Sequence, residues 1–236
     1  MPSLRHAIFD LDGTLVDSLP GIAWSVGQAL ALCGLPPLTV DLKPLIGPPI
    51  RSILASVTGL RDAPSLDRLE RAFRASYDGE GWRKSTCYEG APDMLRRLRT
   101  GGIGLWVVTN KPSRIALRIL REIEIDGLFG GVASLDSRAP AYVSKAEALT
   151  DLVRRQGLSR TECLLVGDTL EDCNAAAAAA VACAIVPHGY GPNLPAVLPD
   201  NCRRVSGWDS IERLFEAEPA SAAGSAGGTQ EVNKHD

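Results

Sequence analysis

Asp10 and Asp12 stand two residues apart, where the apolar run 6–11 opens into Asp12-Gly13-Thr14. Two carboxylates that close repel each other and raise one pKa unless a cation intervenes. A second apolar run, Leu164-Leu165-Val166, delivers Gly167-Asp168, and Asp172 follows near the first turn of the next helix. Four carboxylates with no His or Cys among them form an oxygen-only donor set, which suits a hard cation such as Mg²⁺. Taken alone, Asp172 also reads as a helix N-cap. Between these acidic segments, Trp106-Val107-Val108 delivers Thr109 and Asn110, and Lys111-Pro112-Ser113 opens a helix. A hydroxyl with backbone N–H groups at a helix start either cradles an anion or simply caps the helix. Lys145, preceded by Ser144, heads a further helix, where a cation opposes the helix dipole. It is either a surface lysine or the charge that neutralises the acids and holds a phosphate.

These groups meet only if the chain carries them to one edge of a sheet. The pattern predicts strands at 6–11, 105–108, 132–134, 164–166 and 184–186, alternating with helices over 92–98, 115–123, 145–155 and 172–180. Such alternation implies an α/β fold, a Rossmann-like three-layer core whose parallel sheet is covered on both faces. Ligands then bind at the carboxyl ends of the strands. Directly after the first strand the rhythm breaks. Leu19, Ile22, Val26, Leu30 and Cys33 recur at helical spacing, as do Ile50, Ile53, Leu54 and Val57 after the Gly47-Pro48-Pro49 turn, and then Leu66, Leu69, Phe73 and Tyr77. Residues 20–80 therefore read as entirely helical, an inserted cap. The expected division is a core of 1–18 and 84–216, a helical cap domain of 19–83 and a disordered tail of 217–236, with hinges near 16–20 and 85–88.

The segments Phe9-Asp10-Leu11-Asp12-Gly13-Thr14, Thr109-Asn110, Lys145 and Gly167-Asp168-Thr169-Leu170-Glu171-Asp172, in that order, resemble the four motifs of the haloacid dehalogenase superfamily, in particular its phosphatases. Ile46-Gly47-Pro48-Pro49, Ser134-Leu135-Asp136 and Gly189-Tyr190-Gly191 look like the phosphoglycolate phosphatase and 5′-nucleotidase-like branch. The resemblance covers about 5–215. It implies a Mg²⁺-dependent phosphomonoester hydrolase in which Asp10 is the nucleophile and forms an aspartyl-phosphate, and Asp12 is the general acid and base. Asp10, Asp168 and the Asp12 backbone carbonyl would hold Mg²⁺, with Asp172 supporting them. Thr109 and Lys145 would act in catalysis, with Gly13 and Asn110 also touching the phosphoryl group. The acid at position 12 argues for phosphate rather than halide as the leaving chemistry, since a halide needs no proton. The segment 137–143 departs from the usual Lys-Pro-Asp-Pro form.

Substrate choice falls to the cap. Gly47 lies in a stiff turn able to descend over the site. Arg51 either pairs with a second substrate anion or is a solvated helix arginine. Trp24, Tyr77 and Trp82 stack on a base or pack the cap core.

Composition sets the bounds. The 236 residues are 45% hydrophobic and 22% charged, with a net charge of −3 and no basic block, which gives no case for nucleic acid. There is neither a leader pattern nor a run of 18 apolar residues, so neither secretion nor a membrane span is expected. The six scattered cysteines, with no Cys-x-x-Cys pair, read as reduced fillers rather than zinc ligands, which places the chain in the cytoplasm. The expected partner is a small-molecule phosphate ester and the expected state a monomer or homodimer. Two other functions stay in view: a phosphotransferase or mutase using the same intermediate, and a non-catalytic regulator that binds a phosphorylated metabolite.

Overall fold

The computed structural model describes residues 3–191 and 194–216. The central strand β1 (His6–Phe9) continues into a two-residue strand, β2 (Val16–Asp17), which pairs antiparallel with β3 (Thr86–Cys87). Between these two crossings lie α1 (Leu19–Leu32), α2 (Ile50–Thr58) and α3 (Ala63–Gly79). The rest alternates: α4 (Ala91–Thr100), β4 (Gly104–Thr109), α5 (Ser113–Glu122), β5 (Gly131–Ser134), α6 (Lys145–Arg155), β6 (Cys163–Gly167), α7 (Leu170–Ala179), β7 (Ala182–Ile185), β8 (Cys202–Arg204) and α8 (Trp208–Phe215). The six-stranded sheet is parallel throughout, in the order β5-β4-β1-β6-β7-β8. No helix among the described residues is long and apolar enough to cross a membrane.

The two-residue period of a strand explains why these runs are apolar throughout. Ala7, Phe9, Leu105, Val107, Leu164 and Val166 enter one core, whereas Ile8, Val108 and Leu165 enter the core on the opposite face. On that second face α7 packs against α6 through its alanine run, with Ala175, Ala176 and Ala179 buried. Small side chains there let helix and sheet approach closely. In the insertion, Ile22, Val26 and Leu30 of α1 pack on α3, which buries Leu66, Leu69, Phe73 and Tyr77. Asp62 caps α3 by accepting from the Ser65 amide at 2.9 Å.

The expectation that 20–80 is entirely helical is corrected. Between α1 and α2 the chain is irregular apart from a short turn over Lys43–Leu45. Pro36, Pro37, Pro44, Pro48 and Pro49 explain it, because each removes an N–H donor that a helix would need. β8 and α8 carried no prediction. β8 is a three-residue edge strand with exposed Arg203 and Arg204, too short and too charged to show a period. The expected tail, 217–236, lies outside the described residues.

Candidate active site

From β1 the strand order runs β4-β5 to one side and β6-β7-β8 to the other, which opens a crevice beyond the carboxyl ends. Register fixes what meets there. Phe9 stands beside Val166, and the Asp10 amide donates to the Val166 carbonyl at 2.9 Å. Asp10 and Asp168 therefore leave neighbouring strands side by side. Carboxylate oxygens of Asp10, Asp168 and Asp172 lie within 4.8 Å of one another, and all three residues are buried.

Lys145 enters from the start of α6, fully buried, with Nζ 2.8 Å from Asp10 Oδ2 and 2.9 Å from Asp172 Oδ1. The surface-lysine reading is thereby excluded. Burial alone would lower its pKa, but the two carboxylates more than offset this and hold the ammonium above its ordinary value. Its single charge does not serve both acids equally. Asp172 Oδ2 also accepts from the Asp168 and Thr169 amides at 3.2 and 3.0 Å and from the Thr169 hydroxyl at 2.8 Å. Against the cost of burial, Lys145 and these donors hold Asp172 ionised, below the usual carboxylate range. Burial and the charges of Asp172 and Asp168 push Asp10 well above it, although Lys145 opposes them. Burial first and Asp172 second push Asp168 up to about 7. Asp172 thus serves as both candidate cap and cluster member.

This donor set fits a hard divalent cation. It is all oxygen, and its three buried carboxylates carry more negative charge than the one lysine among them balances. Asp168 is preset for such a role, because Oδ1 accepts from the Thr14 hydroxyl at 3.0 Å and Oδ2 from the Tyr190 amide at 2.7 Å. Asp172 is more heavily engaged, with Oδ1 on Lys145 and Oδ2 on two amides and a hydroxyl, and is suited to brace the others. Gly13 is required here: its φ is +81°, and a Cβ would stand 2.3 Å from Asp168 Oδ2.

Asp12 is partly exposed, and its Oδ2 is held by Lys111 Nζ at 3.0 Å. Lys111 is buried and also donates to the Tyr77 hydroxyl of α3 at 2.8 Å. Burial would lower its pKa, yet Asp12 and Tyr77 raise it overall, so it stays charged. Sequence reasoning missed this residue. The available signal was its position just past Thr109 and Asn110, at a strand exit already assigned to the site.

Thr109 is buried, with its hydroxyl accepting from the Lys111 amide at 3.2 Å. Asn110 reaches sideways, its Nδ2 donating to the Gly47 carbonyl at 2.9 Å and to Glu171 Oε1 at 2.8 Å. That pair of bonds ties the cap turn to the core. Gly47 has φ +130° and lies against the Thr169 side chain, so the Gly47-Pro48-Pro49 turn does descend onto the crevice.

Cap and core enclose a cavity of about 590 Å³, with Asp10, Asp12, Thr109, Asn110 and Lys145 on the core side. Ile50, Ile53, Phe73 and Tyr77 supply apolar wall, and Phe73 and Tyr77 stack with ring centroids 5.3 Å apart. Of the two readings open for Arg51, the structure places it on the outer side of the cap, away from the cavity lining. Asp67 at 2.6 Å and Glu70 at 3.3 Å hold its guanidinium, and Arg74 and Arg114 line the cavity instead. Trp24 and Trp82 do not line it; Trp82 is packed in the cap.

A six-stranded parallel sheet with a helical insertion after its first strand, closing over an aspartate cluster, defines a class of hydrolases. The chain belongs to the haloacid dehalogenase-like hydrolases, whose family model matches residues 7–186. The 5′-nucleotidase of Pseudomonas aeruginosa is 32% identical over 79% of this chain and 84% of its own length. The tyrosine-protein kinase PtkA of Mycobacterium tuberculosis is 35% identical over 80% of this chain, which spans only 64% of that relative. Among solved structures, a predicted phosphoglycolate phosphatase from Haemophilus somnus superposes with a TM-score of 0.80 at 28% identity, covering 92% of this chain and all of that one.

Proposed function

We propose that the chain is a Mg²⁺-dependent phosphomonoesterase that acts on a small phosphorylated metabolite through an aspartyl-phosphate on Asp10. The observation that carries this reading is the cavity lined by Asp10, Asp12 and Lys145, with Asp168 and Asp172 clustered behind Asp10 and Lys145. Asp10, Asp168 and the Asp12 backbone carbonyl would hold Mg²⁺, which would draw phosphate and nucleophile together despite their like charge and would stabilise the transferring oxygens. Lys145 balances Asp10 and, with the Thr109 hydroxyl and the Asn110 backbone N–H, binds the phosphoryl oxygens. An Asp10 oxygen attacks phosphorus as the ester P–O bond breaks, and Asp12 gives its proton to the departing oxygen. Asp12 then takes a proton from water, which attacks the phosphoaspartate, releases inorganic phosphate and restores Asp10. Lys111 holds Asp12 by Oδ2 and leaves Oδ1 for these transfers.

Within the substrate class of phosphoglycolate or nucleoside monophosphate, the cavity favours the larger member. Its volume and its Phe73–Tyr77 wall suit an organic portion with a ring better than a two-carbon acid. A panel of phosphomonoesters assayed with Mg²⁺ tests this, with nucleoside monophosphates expected to give the higher kcat/KM. Preference for phosphoglycolate would reverse the substrate assignment.

The name of the PtkA relative supports a second reading, transfer of the same phosphoryl group to an acceptor other than water. Measuring inorganic phosphate decides between them. Stoichiometric release from each ester consumed is expected for the phosphatase, and release only in step with a phosphorylated acceptor would favour transfer.

Gly13→Ala should displace the Asp168 carboxylate, because the new methyl overlaps it and the backbone conformation disfavours it. A displacement of about 1 Å in a catalytic group costs about 10²-fold in rate. The expected result is a comparable fall in kcat with a raised Mg²⁺ requirement, read by steady-state assay across a Mg²⁺ titration.

A further inference from the structure

Three of the six cysteines converge behind Asp172, outside the lining of the phosphoryl cavity. Cys173 lies on α7, Cys183 on β7 and Cys202 at the start of β8, where parallel register sets it directly beside Cys183. Their sulfurs lie within 4.8 Å of one another. Cys173 and Cys183 are buried among Ala176, Ile185 and other apolar side chains, while Cys202 is half-buried and gives the group an outlet. Asn201 completes the cluster. Its Nδ2 donates to the Val181 carbonyl at 2.9 Å, which fixes the amide with Oδ1 3.7 Å from Cys202 Sγ.

We propose that Cys173, Cys183 and Cys202, with Asn201 Oδ1 in the fourth position, form a site for a thiophilic divalent cation of the zinc class. Three thiolates on one such ion, at the usual Zn–S length, set their sulfurs about 3.8–4.0 Å apart. Closing from the present spacing needs only small side-chain rotations. Sulfur donors select a soft ion and reject Mg²⁺, so this site does not compete with the carboxylate cluster for its cation. Three bare thiolates would be too costly in this apolar setting, so binding exchanges protons for metal: one divalent ion and three thiols give a tris-thiolate of charge −1 and three protons. A divalent ion leaves less buried charge than a monovalent one. The hydrogen-bonded Asn201 amide supplies the kind of oriented support that metal sites use. Bound metal would tie α7, whose first turn carries Asp172, to the sheet edge β7-β8.

The test uses the full chain, reduced and oxygen-free, saturated with Mg²⁺ and titrated with Cd²⁺ as a spectroscopic stand-in for zinc. One equivalent should produce thiolate-to-metal charge-transfer absorption of three-thiolate intensity, release about three protons and raise Tm. Cys202→Ser should remove about a third of that absorption and weaken binding by about 100-fold or more, since loss of a mere supporting group already costs 10- to 100-fold. Asn201→Ala should keep the full absorption but bind less tightly. Cys33→Ser and Cys87→Ser should bind as the parent does. The proposal is overturned if no band saturates at one equivalent, if Cys202→Ser and Asn201→Ala both bind Cd²⁺ unchanged, or if Cys33→Ser is equally impaired. It is also overturned if protein isolated without reductant proves two hydrogens lighter through a Cys183–Cys202 disulfide, which would make the cluster a redox pair.

Discussion

Asp10→Asn should abolish turnover while leaving the fold intact. The amide is nearly isosteric with the carboxylate, and Lys145 retains Asp172 at 2.9 Å, so the lysine is not left buried without a partner. What disappears is the anionic oxygen that attacks phosphorus. Residues that act as a unit lose most of the rate when one is removed, and a fall of about 10⁴-fold or more in kcat/KM is expected. Stability should move in the other direction. Asp10 is fully buried and shares its space with Asp168 and Asp172, which push its pKa well up, so an uncharged side chain relieves repulsion. In the absence of Mg²⁺ the variant should therefore melt at or above the parent Tm, read by calorimetry. Added phosphomonoester should leave no phosphate on the protein by mass spectrometry. Residual hydrolysis at even a hundredth of the parent rate would mean that another group attacks phosphorus.

The part of this site legible in the sequence was the part delivered by strands. Asp10, Thr109 and Asp168 each follow an apolar run, and parallel pairing with a two-residue period leaves such residues nowhere to go but the carboxyl edge. Lys145 was placed by the same alternation, although its helix-start position alone pointed equally to the surface. What the sequence hid were contacts made across large separations. Lys111 meets Tyr77 through cap docking, Tyr190 meets Asp168 from a loop beyond β7, and Arg51 is claimed by Asp67 and Glu70 one helix away. None of these depends on local periodicity. The three converging cysteines belong to the same class: their spacing matches no short metal motif, and only the pairing of β7 with β8 and the packing of α7 bring them together. In the fold, the proline-rich stretch between α1 and α2 was overread as helix because the helical faces on either side were strong, although its prolines already argued against it.

Asp12→Asn should separate the two halves of the reaction. The asparagine can keep an oxygen toward Lys111, whose buried charge at 3.0 Å then still has an acceptor there as well as Tyr77. It cannot donate or accept the catalytic proton. General acid–base groups contribute about 10²–10⁴-fold, and for an alkyl ester both steps lose this help, so kcat and kcat/KM should fall together by that order. An aryl ester with a stable leaving anion, such as p-nitrophenyl phosphate, needs no proton to depart. Its first step should survive, and only the attack of water on the phosphoaspartate should slow. The expected signature is a burst of p-nitrophenol close to one per chain, kcat reduced far more than kcat/KM, and phosphate retained on Asp10 by mass spectrometry after rapid quenching. The same experiment on Asp10→Asn should give no burst. If Asp12→Asn instead lowers kcat and kcat/KM equally for the aryl ester and no phosphoprotein accumulates, Asp12 acts before phosphoryl transfer, in binding or in holding the cation. The proton relay between Asp12 and the attacking water would then have to be reassigned.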